Sequence, residues 1–269
     1  MKKTEPFQII YEDDNLIAVN KASGIAVCAD RWDPSSLRLD KLLANHLGKK
    51  VFIVHRIDRD TSGLVIFAKN QASHKKLSLA FENRQVKKHY IAAVQGRPVW
   101  KEKTCDLPLV PNGNKKHMTI IDKYRGKKSL TAFRLLGSAG NYSIVQAIPE
   151  TGRTHQIRVH LASLGHAVIC DELYGNSKPV FLSAIKGNWR GDRVEERPLL
   201  SRLGLHASKL MIPKEFSLTK ENLYLEAPVS RDMAALIKQM EKCSKSAFLP
   251  HENNIDVTTT QQKDEEQLE

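Results

Sequence analysis

In the stretch Val51-Phe52-Ile53-Val54-His55-Arg56-Ile57-Asp58-Arg59-Asp60-Thr61-Ser62-Gly63-Leu64-Val65-Ile66-Phe67-Ala68, two unbroken apolar runs flank the polar segment His55 to Gly63. Such runs, bounded by polar positions, read as buried strands, since a half-exposed strand would alternate. The segment between them is then a loop. Upstream, Ile9-Ile10-Tyr11 and Leu16-Ile17-Ala18-Val19 around Asp13-Asp14-Asn15 predict a hairpin. Ser35-Ser36 can cap a short helix with Leu39, Leu42, Leu43 and Leu47 on one face and Gly48 as its stop.

Downstream, a helical pattern runs from Gln71 to about Arg84 and a strand from His89 to Val94. Pro108 to Lys128 is rich in Lys and Gly and reads as a mobile basic loop or a solvated hairpin end. Strands resume at Leu130–Leu136 and Tyr142–Ala147. Thr154 opens a helix with Ile157, Leu161 and Leu164 on its buried stripe and Gly165 at its end. Gly175 to Arg202, broken by Pro179, Gly187, Gly191 and Pro198, reads as a long surface excursion. Leu205–Met211 and Leu223–Ala227 read as closing strands, and Ser230 as the cap of a last helix bearing Met233, Leu236, Ile237 and Met240. Strands with a few interposed helices predict one α+β domain over residues 7–245. Beyond Pro250 the chain is polar, acidic and free of aromatics, the composition of a disordered tail, which is expected to cover residues 246–269.

The 269 residues carry 42 Lys plus Arg against 30 Asp plus Glu, a net charge of +12. With 41 % apolar and 27 % charged residues, the composition excludes collagen-like and mostly disordered chains. His251 to Glu269 carries −5, which leaves +17 on the rest. A body so positive suits a polyanion, nucleic acid being the commonest, although a basic proteome would give ordinary enzymes a similar excess. Cys28, Cys105, Cys170 and Cys243 lie at least 65 residues apart, which argues against a zinc ribbon and for a reducing compartment. No apolar leader and no uncharged run of membrane-spanning length occurs, so a cytoplasmic protein with no membrane contact is expected.

Chemistry concentrates in two segments. His55 to Gly63 packs His55, Arg56, Asp58, Arg59 and Asp60 into one loop. A guanidinium beside an Asp favours the charged carboxylate, which can act as nucleophile or base. The plainer reading makes Asp58 or Asp60 a turn brace and Gly63 a positive-φ position. In Glu150 to His160, Arg153 and the polar groups opening the helix would face an anion. His155, His160 and His166 do not read as metal ligands, because five residues at about 100° each put the first two roughly 140° apart.

The segment His55 to Leu64 resembles the HRLDxxTSGL signature of the RluA-type pseudouridine synthases, and further blocks follow in that family's order. These are Glu12 to Lys21, Lys88 to Gly96, Gly152 to His160 with Gly165-His166 and Asp171 to Gly175, and Leu205-His206-Ala207. The resemblance covers about residues 7 to 235. It implies a catalytic domain built on a mainly antiparallel mixed β-sheet with flanking helices, which isomerises uridine in RNA to pseudouridine without a cofactor or metal. Asp58 would be the nucleophile, Arg158 its ion-pair partner, and Tyr90 the ring stacked on the target base, with a role in later proton transfer. Arg56 would hold the space left by the flipped nucleotide. Arg153, His155 and Leu205 complete the expected substrate-binding set.

The chain departs from the family at Lys21-Ala22-Ser23-Gly24, where Lys-Pro is usual, and about six residues precede the first strand where many relatives carry an S4-type RNA-binding module. A monomer is expected that grips ribosomal or transfer RNA through the catalytic domain itself, with the 108–128 and 175–202 segments as RNA-contacting additions. Two alternatives remain. Asp58-Arg59-Asp60-Thr61 fits the DxDxT pattern of Mg²⁺-dependent phosphatases, although His55 and Arg56 separate it from the strand. The fold could also serve a non-catalytic RNA-binding or ribosome-assembly protein.

Overall fold

The computed structural model describes residues 5–29, 35–114, 118–219, 221–244 and 246–249. The chain runs through β1 (Phe7–Glu12), β2 (Leu16–Lys21), α1 (Leu39–Leu47), β3 (Phe52–Ile53), β4 (Ser62–Ala68), α2 (Gln71–Glu82), β5 (Lys87–Gln95) and β6 (Glu102–Cys105). It continues through β7 (Leu109–Val110), β8 (Ile120–Ile121), β9 (Thr131–Ala139), β10 (Tyr142–Pro149), α3 (Gln156–Ser163), β11 (Leu205–Ile212), β12 (Leu223–Glu226) and α4 (Arg231–Cys243). One ten-stranded sheet has the order β1-β2-β4-β11-β5-β10-β9-β6, with β3 beside β4 and β12 beside β11. Among the described strands, only β4 and β11 pair in parallel. The expected α+β architecture on a mainly antiparallel mixed sheet is what forms.

The Val51–Val54 run forms only the two-residue, half-buried β3, not a buried strand, whereas the unbroken runs of β4 and β5 have a simple cause. Leu64, Ile66 and Ala68 of β4 pack with Leu77 and Ala80 of α2 on one face. Val65 and Phe67 pack with Leu39 and Leu43 of α1 on the other. Strand β5 repeats the arrangement, with Ile91 and Ala93 against α4 and Ala92 and Val94 against Ile157 and Leu161 of α3. A strand covered on both faces has no polar positions to keep. Each fully buried Leu or Ile in these layers contributes about 1.5–3 kcal/mol.

Strand β4 shares one edge between two short partners, and this creates a gap. β11 pairs beside Ser62 and Gly63, while β3 pairs beside Phe67 and Ala68. Between them the Ile66 N–H donates to Nε2 of His55 at 2.9 Å. Burial, with Lys88 nearby, pushes His55 down to about 3, so this nitrogen stays an acceptor. The ring stacks on Phe81 with centroids 4.5 Å apart. His55 thus seals a ladder gap.

Several local expectations are corrected. Helix α1 starts after Arg38, not at the Ser35-Ser36 pair, and Arg38 pairs with Asp40 of the first turn at 2.6 Å. Helix α3 starts after His155, held at φ 53°, so Thr154 is not its cap. Ser230 does precede α4, but its hydroxyl donates to Asp232 at 2.6 Å instead of accepting from the helix. Of the two readings of the 108–128 segment, the described residues form the hairpin, with β7 and β8 paired, although its base is tied down by the fully buried Leu109 and is not solvated throughout. The 175–202 excursion is pinned to the core, because Val180, Ile185 and Leu200 pack with α4. Strand β11 closes nothing at an edge; it lies mid-sheet between β4 and β5. The expected disordered tail over 246–269 begins too early: Phe248 packs against the core and Leu249 N–H donates to the Leu136 carbonyl at 2.8 Å, while the acidic stretch from residue 250 onward lies outside the described residues.

Candidate active site

Asp58 lies in the loop between β3 and β4, and the turn after β2 holds that loop from beneath. Gly24 N–H and Lys21 Nζ both donate to the Arg59 carbonyl, at 3.0 and 2.8 Å. Ser23 Oγ donates to the Asp60 carbonyl at 2.7 Å. Lys21 is 1 % exposed. Burial lowers its ammonium to about 7 against the opposing pull of Asp60 and Asp58. The Lys-Ala departure has a local reason: Ala22 N–H donates to the Pro6 carbonyl at 3.0 Å, a bond proline could not make.

Across the cleft, α3 brings Arg158 to Asp58, with Nη1 3.7 Å from Oδ2. The same guanidinium is bound more closely elsewhere. Its Nε and Nη2 donate to both carboxylate oxygens of Asp171, at 2.8 and 2.7 Å. Asp171 is fully buried and also accepts the Leu173 and Tyr174 N–H groups. Its aim is set by Cys170, at φ 57°. The Arg158 guanidinium carbon also lies 5.2 Å from the Tyr174 ring centroid. Asp171 therefore orients Arg158, and Arg158 is the bridge between two carboxylates, not a dedicated partner of Asp58.

His155 approaches the other oxygen of Asp58, with Nε2 4.0 Å from Oδ1. Its Nδ1 lies 2.9 Å from the Tyr174 hydroxyl, which also accepts the Thr119 N–H. Burial, the largest influence, keeps His155 below its ordinary value despite Asp58. In the tautomer where the phenol donates to Nδ1, the ring's own proton is on Nε2, the nitrogen that faces Asp58. Tyr90 of β5 completes the floor. Burial, then the charge of Asp58, pushes its phenol well above the usual range, so it stays protonated at physiological pH.

Asp58, Tyr90, Arg158, Arg56, Arg153, His155 and Leu205, all expected from the sequence, line one cleft of about 500 Å³. That volume lies within the range of small-ligand sites. Arg56 is exposed at its rim, and Arg153 Nε donates to the Lys128 carbonyl at 3.3 Å. The sequence reading gave no role to Lys21, Asp171 or Tyr174. Gln156 was also unassigned; it bonds Thr151 and the Arg153 N–H at the start of α3. Asp60, the second carboxylate of the DxDxT reading, is exposed. Among the described residues no three His, Cys, Asp or Glu side chains are grouped to hold a metal ion. No helix among them is long and apolar enough to cross a membrane.

Comparison with known proteins identifies the family. A family model described as RNA pseudouridylate synthase matches residues 15–163. Ribosomal large subunit pseudouridine synthase D of Zymomonas mobilis is 32 % identical over 244 residues, spanning 87 % of this chain and 73 % of the relative. Ribosomal large subunit pseudouridine synthase C of Buchnera aphidicola is 37 % identical over 234 residues, spanning 84 % of this chain and 68 % of the relative. The solved structure of human RNA Pseudouridylate Synthase Domain Containing 1 superposes with a TM-score of 0.69 at 27 % identity, covering 93 % of this chain and 94 % of that one. The family match runs unbroken through the Asp58 loop, Tyr90 and the whole of α3, and the chain belongs to the RNA pseudouridylate synthase family.

Proposed function

We propose that residues 7–245 form the catalytic unit and that Asp58 is its nucleophile, acting on one uridine extruded into the cleft from ribosomal RNA of the large subunit. The ion pair between Asp58 and a bridging Arg158 carries this reading. An arginine cannot deprotonate, so a carboxylate facing it keeps a charged partner throughout turnover. The reaction breaks the bond between the uracil nitrogen and the sugar, turns the base, and joins a ring carbon to the same sugar carbon. The proton on that ring carbon leaves, and a proton returns to the freed nitrogen. Product and substrate contain the same atoms, so neither oxidant, co-substrate, cofactor nor metal is required.

Tyr90 supplies a flat ring for the base to stack on, which offsets part of the cost of leaving the RNA stack. As a protonated phenol it can also hand on the departing proton. His155 steadies the second carboxylate oxygen, Leu205 adds an apolar wall, and Arg56 and Arg153 meet the strand at the rim. The names of the bacterial relatives favour ribosomal over transfer RNA. We place the protein in the cytoplasm as a monomer.

The test is Asp58→Asn. It abolishes pseudouridine formation and leaves RNA affinity within a few-fold, because the amide keeps the shape of the carboxylate. Pseudouridine mapping in ribosomal RNA from cells with and without the protein identifies the position. Turnover retained by Asp58→Asn rejects the nucleophile assignment.

A further inference from the structure

Lys88 stands apart from the residues discussed so far. It lines the same cleft as His55 and Arg84 and lies two positions before Tyr90 on β5. Side chains two apart on a strand share a face, about 7 Å from each other. Lys88 therefore stands beside the ring proposed to hold the base, at the scale of one nucleotide. Among the described residues no ion pair or hydrogen bond holds its Nζ. Burial, then the neighbouring Arg84, lowers the ammonium to about 8.

What faces Lys88 is equally specific. A Cβ built on Gly152 would meet one atom within 4 Å, the Lys88 Nζ at 3.8 Å. The absence of a side chain at Gly152 leaves the space before the ammonium open. Arg84 reaches this region from a left-handed turn, at φ 58°. The acidic members of the cleft lining nearby, Glu82 and Glu150, are exposed and form no ion pair with Lys88. An ammonium partly withdrawn from water, flanked by a second cation and open on one side, is short of one anion. A lysine, as a compact point charge, is suited to a phosphate.

We propose that Lys88, with Arg84 beside it and the bare backbone of Gly152 opposite, forms a subsite for the RNA phosphate adjoining the nucleotide held over Asp58. The subsite rests on the uridine-isomerising reading above and adds to it the group that fixes the strand's register. By clamping one phosphate next to the flipped position, it orients the nucleotide without reading any base.

The test uses the full chain and a transcript of the RNA segment that loses pseudouridine in cells lacking the protein. Two further transcripts carry an uncharged methylphosphonate at the linkage on the 5′ or the 3′ side of the target uridine. One of them raises the wild-type KM about tenfold or more, the scale of a charge-assisted hydrogen bond. Lys88→Gln raises the KM of the unmodified transcript by a similar factor, and the same methylphosphonate then adds little. Lys88→Arg restores most of the affinity. The slope of log affinity against log salt falls by about 0.7–1 in Lys88→Gln, as for one lost phosphate contact. A methylphosphonate penalty that persists undiminished in Lys88→Gln overturns the subsite. So does a wild-type KM indifferent to both neutral linkages, a result that needs no variant to fold. If the wild-type protein converts no uridine in any transcript, the functional reading has failed and the subsite falls with it.

Discussion

Arg158 donates hydrogen bonds of 2.8 and 2.7 Å to Asp171 and faces Asp58 across 3.7 Å. The closer partner sets where the guanidinium points, so Asp171 acts on Asp58 through Arg158. Burial alone would raise the Asp171 carboxyl, but Arg158 and the Leu173 and Tyr174 N–H groups outweigh it and hold the carboxyl below its usual range. A carboxyl depressed in the folded state contributes stability that is present above about pH 4 and lost as pH falls through the lowered value. Removing one member of a buried pair costs about 3–5 kcal/mol, and Asn retains one acceptor, so Asp171→Asn should sit near the lower figure in urea unfolding. Its turnover should fall at least about tenfold (about 1.4 kcal/mol), with KM less affected, because Arg158 is no longer held off Asp58. Full activity in a destabilised Asp171→Asn would reduce the residue to a fold-holding role. Asp58, Arg158 and Tyr90 were legible because charge crowds the 55–63 loop and the ordered blocks match a family. Asp171 was not, since an Asp followed by two backbone N–H groups looks like any turn brace, and its partner lies 13 residues back on a helix.

At the scale of elements, the parallel contact between β4 and β11 joins the Asp58 loop to the far half of the sheet. Gly63 makes it possible: at φ 112°, a Cβ there would stand 2.2 Å from the Ala207 carbonyl oxygen. Neither backbone is free to move, because β4 is held by β2 and β11 by β5. Gly63→Ala combines a backbone clash with an unfavourable φ, so it should cost about 3 kcal/mol or more and open the cleft beside Ser62. Urea unfolding and amide exchange at Leu64 and Ala207 check this; an unchanged midpoint would mean that the strands can part freely. A clamp from α4 reinforces the same corner. Arg202 pairs with Asp232 at 2.7 Å and donates to Ser62 Oγ at 3.2 Å. The sequence showed β4 and β5 well, because two-sided burial leaves a continuous apolar run. It showed two helix starts poorly, because Ser35 and Thr154 are competent caps by residue type, yet α1 and α3 begin after Arg38 and His155, whereas the start of α4 after Ser230 was legible.

For the molecule as a whole, the +17 on residues 1–250 suits a family that acts on RNA, although charge alone does not say where RNA would lie. The same body carries a second, opposite charge property. His89 and His206 are buried and His55 is half-buried, and the three are pushed down, to about 4, about 4 and about 3, in each case chiefly by burial. Each is tied as a neutral ring: His55 accepts from Ile66, His89 meets Gln146 at 3.2 Å, and His206 lies between Ser62 and the Ala227 carbonyl. In the unfolded chain these rings take up protons near pH 6.5, whereas the folded chain refuses them until far lower pH. The unfolded state then binds more protons, so stability falls as pH drops below about 6.5. With three such rings the slope between about pH 6 and 4 approaches 4 kcal/mol per pH unit, from about 1.36 kcal/mol for each proton. The melting temperature should hold steady from pH 8 to 7 and fall steeply below 6, well before the Asp171 pair begins to weaken below about pH 4. His206→Phe removes one of the three groups, and although it costs stability at neutral pH, its melting temperature should fall less steeply with acid than that of the parent. A parent curve that is flat from pH 7 to 4.5 would mean that these imidazoles are protonated within the fold and that the buried ring network is looser than the hydrogen bonds indicate.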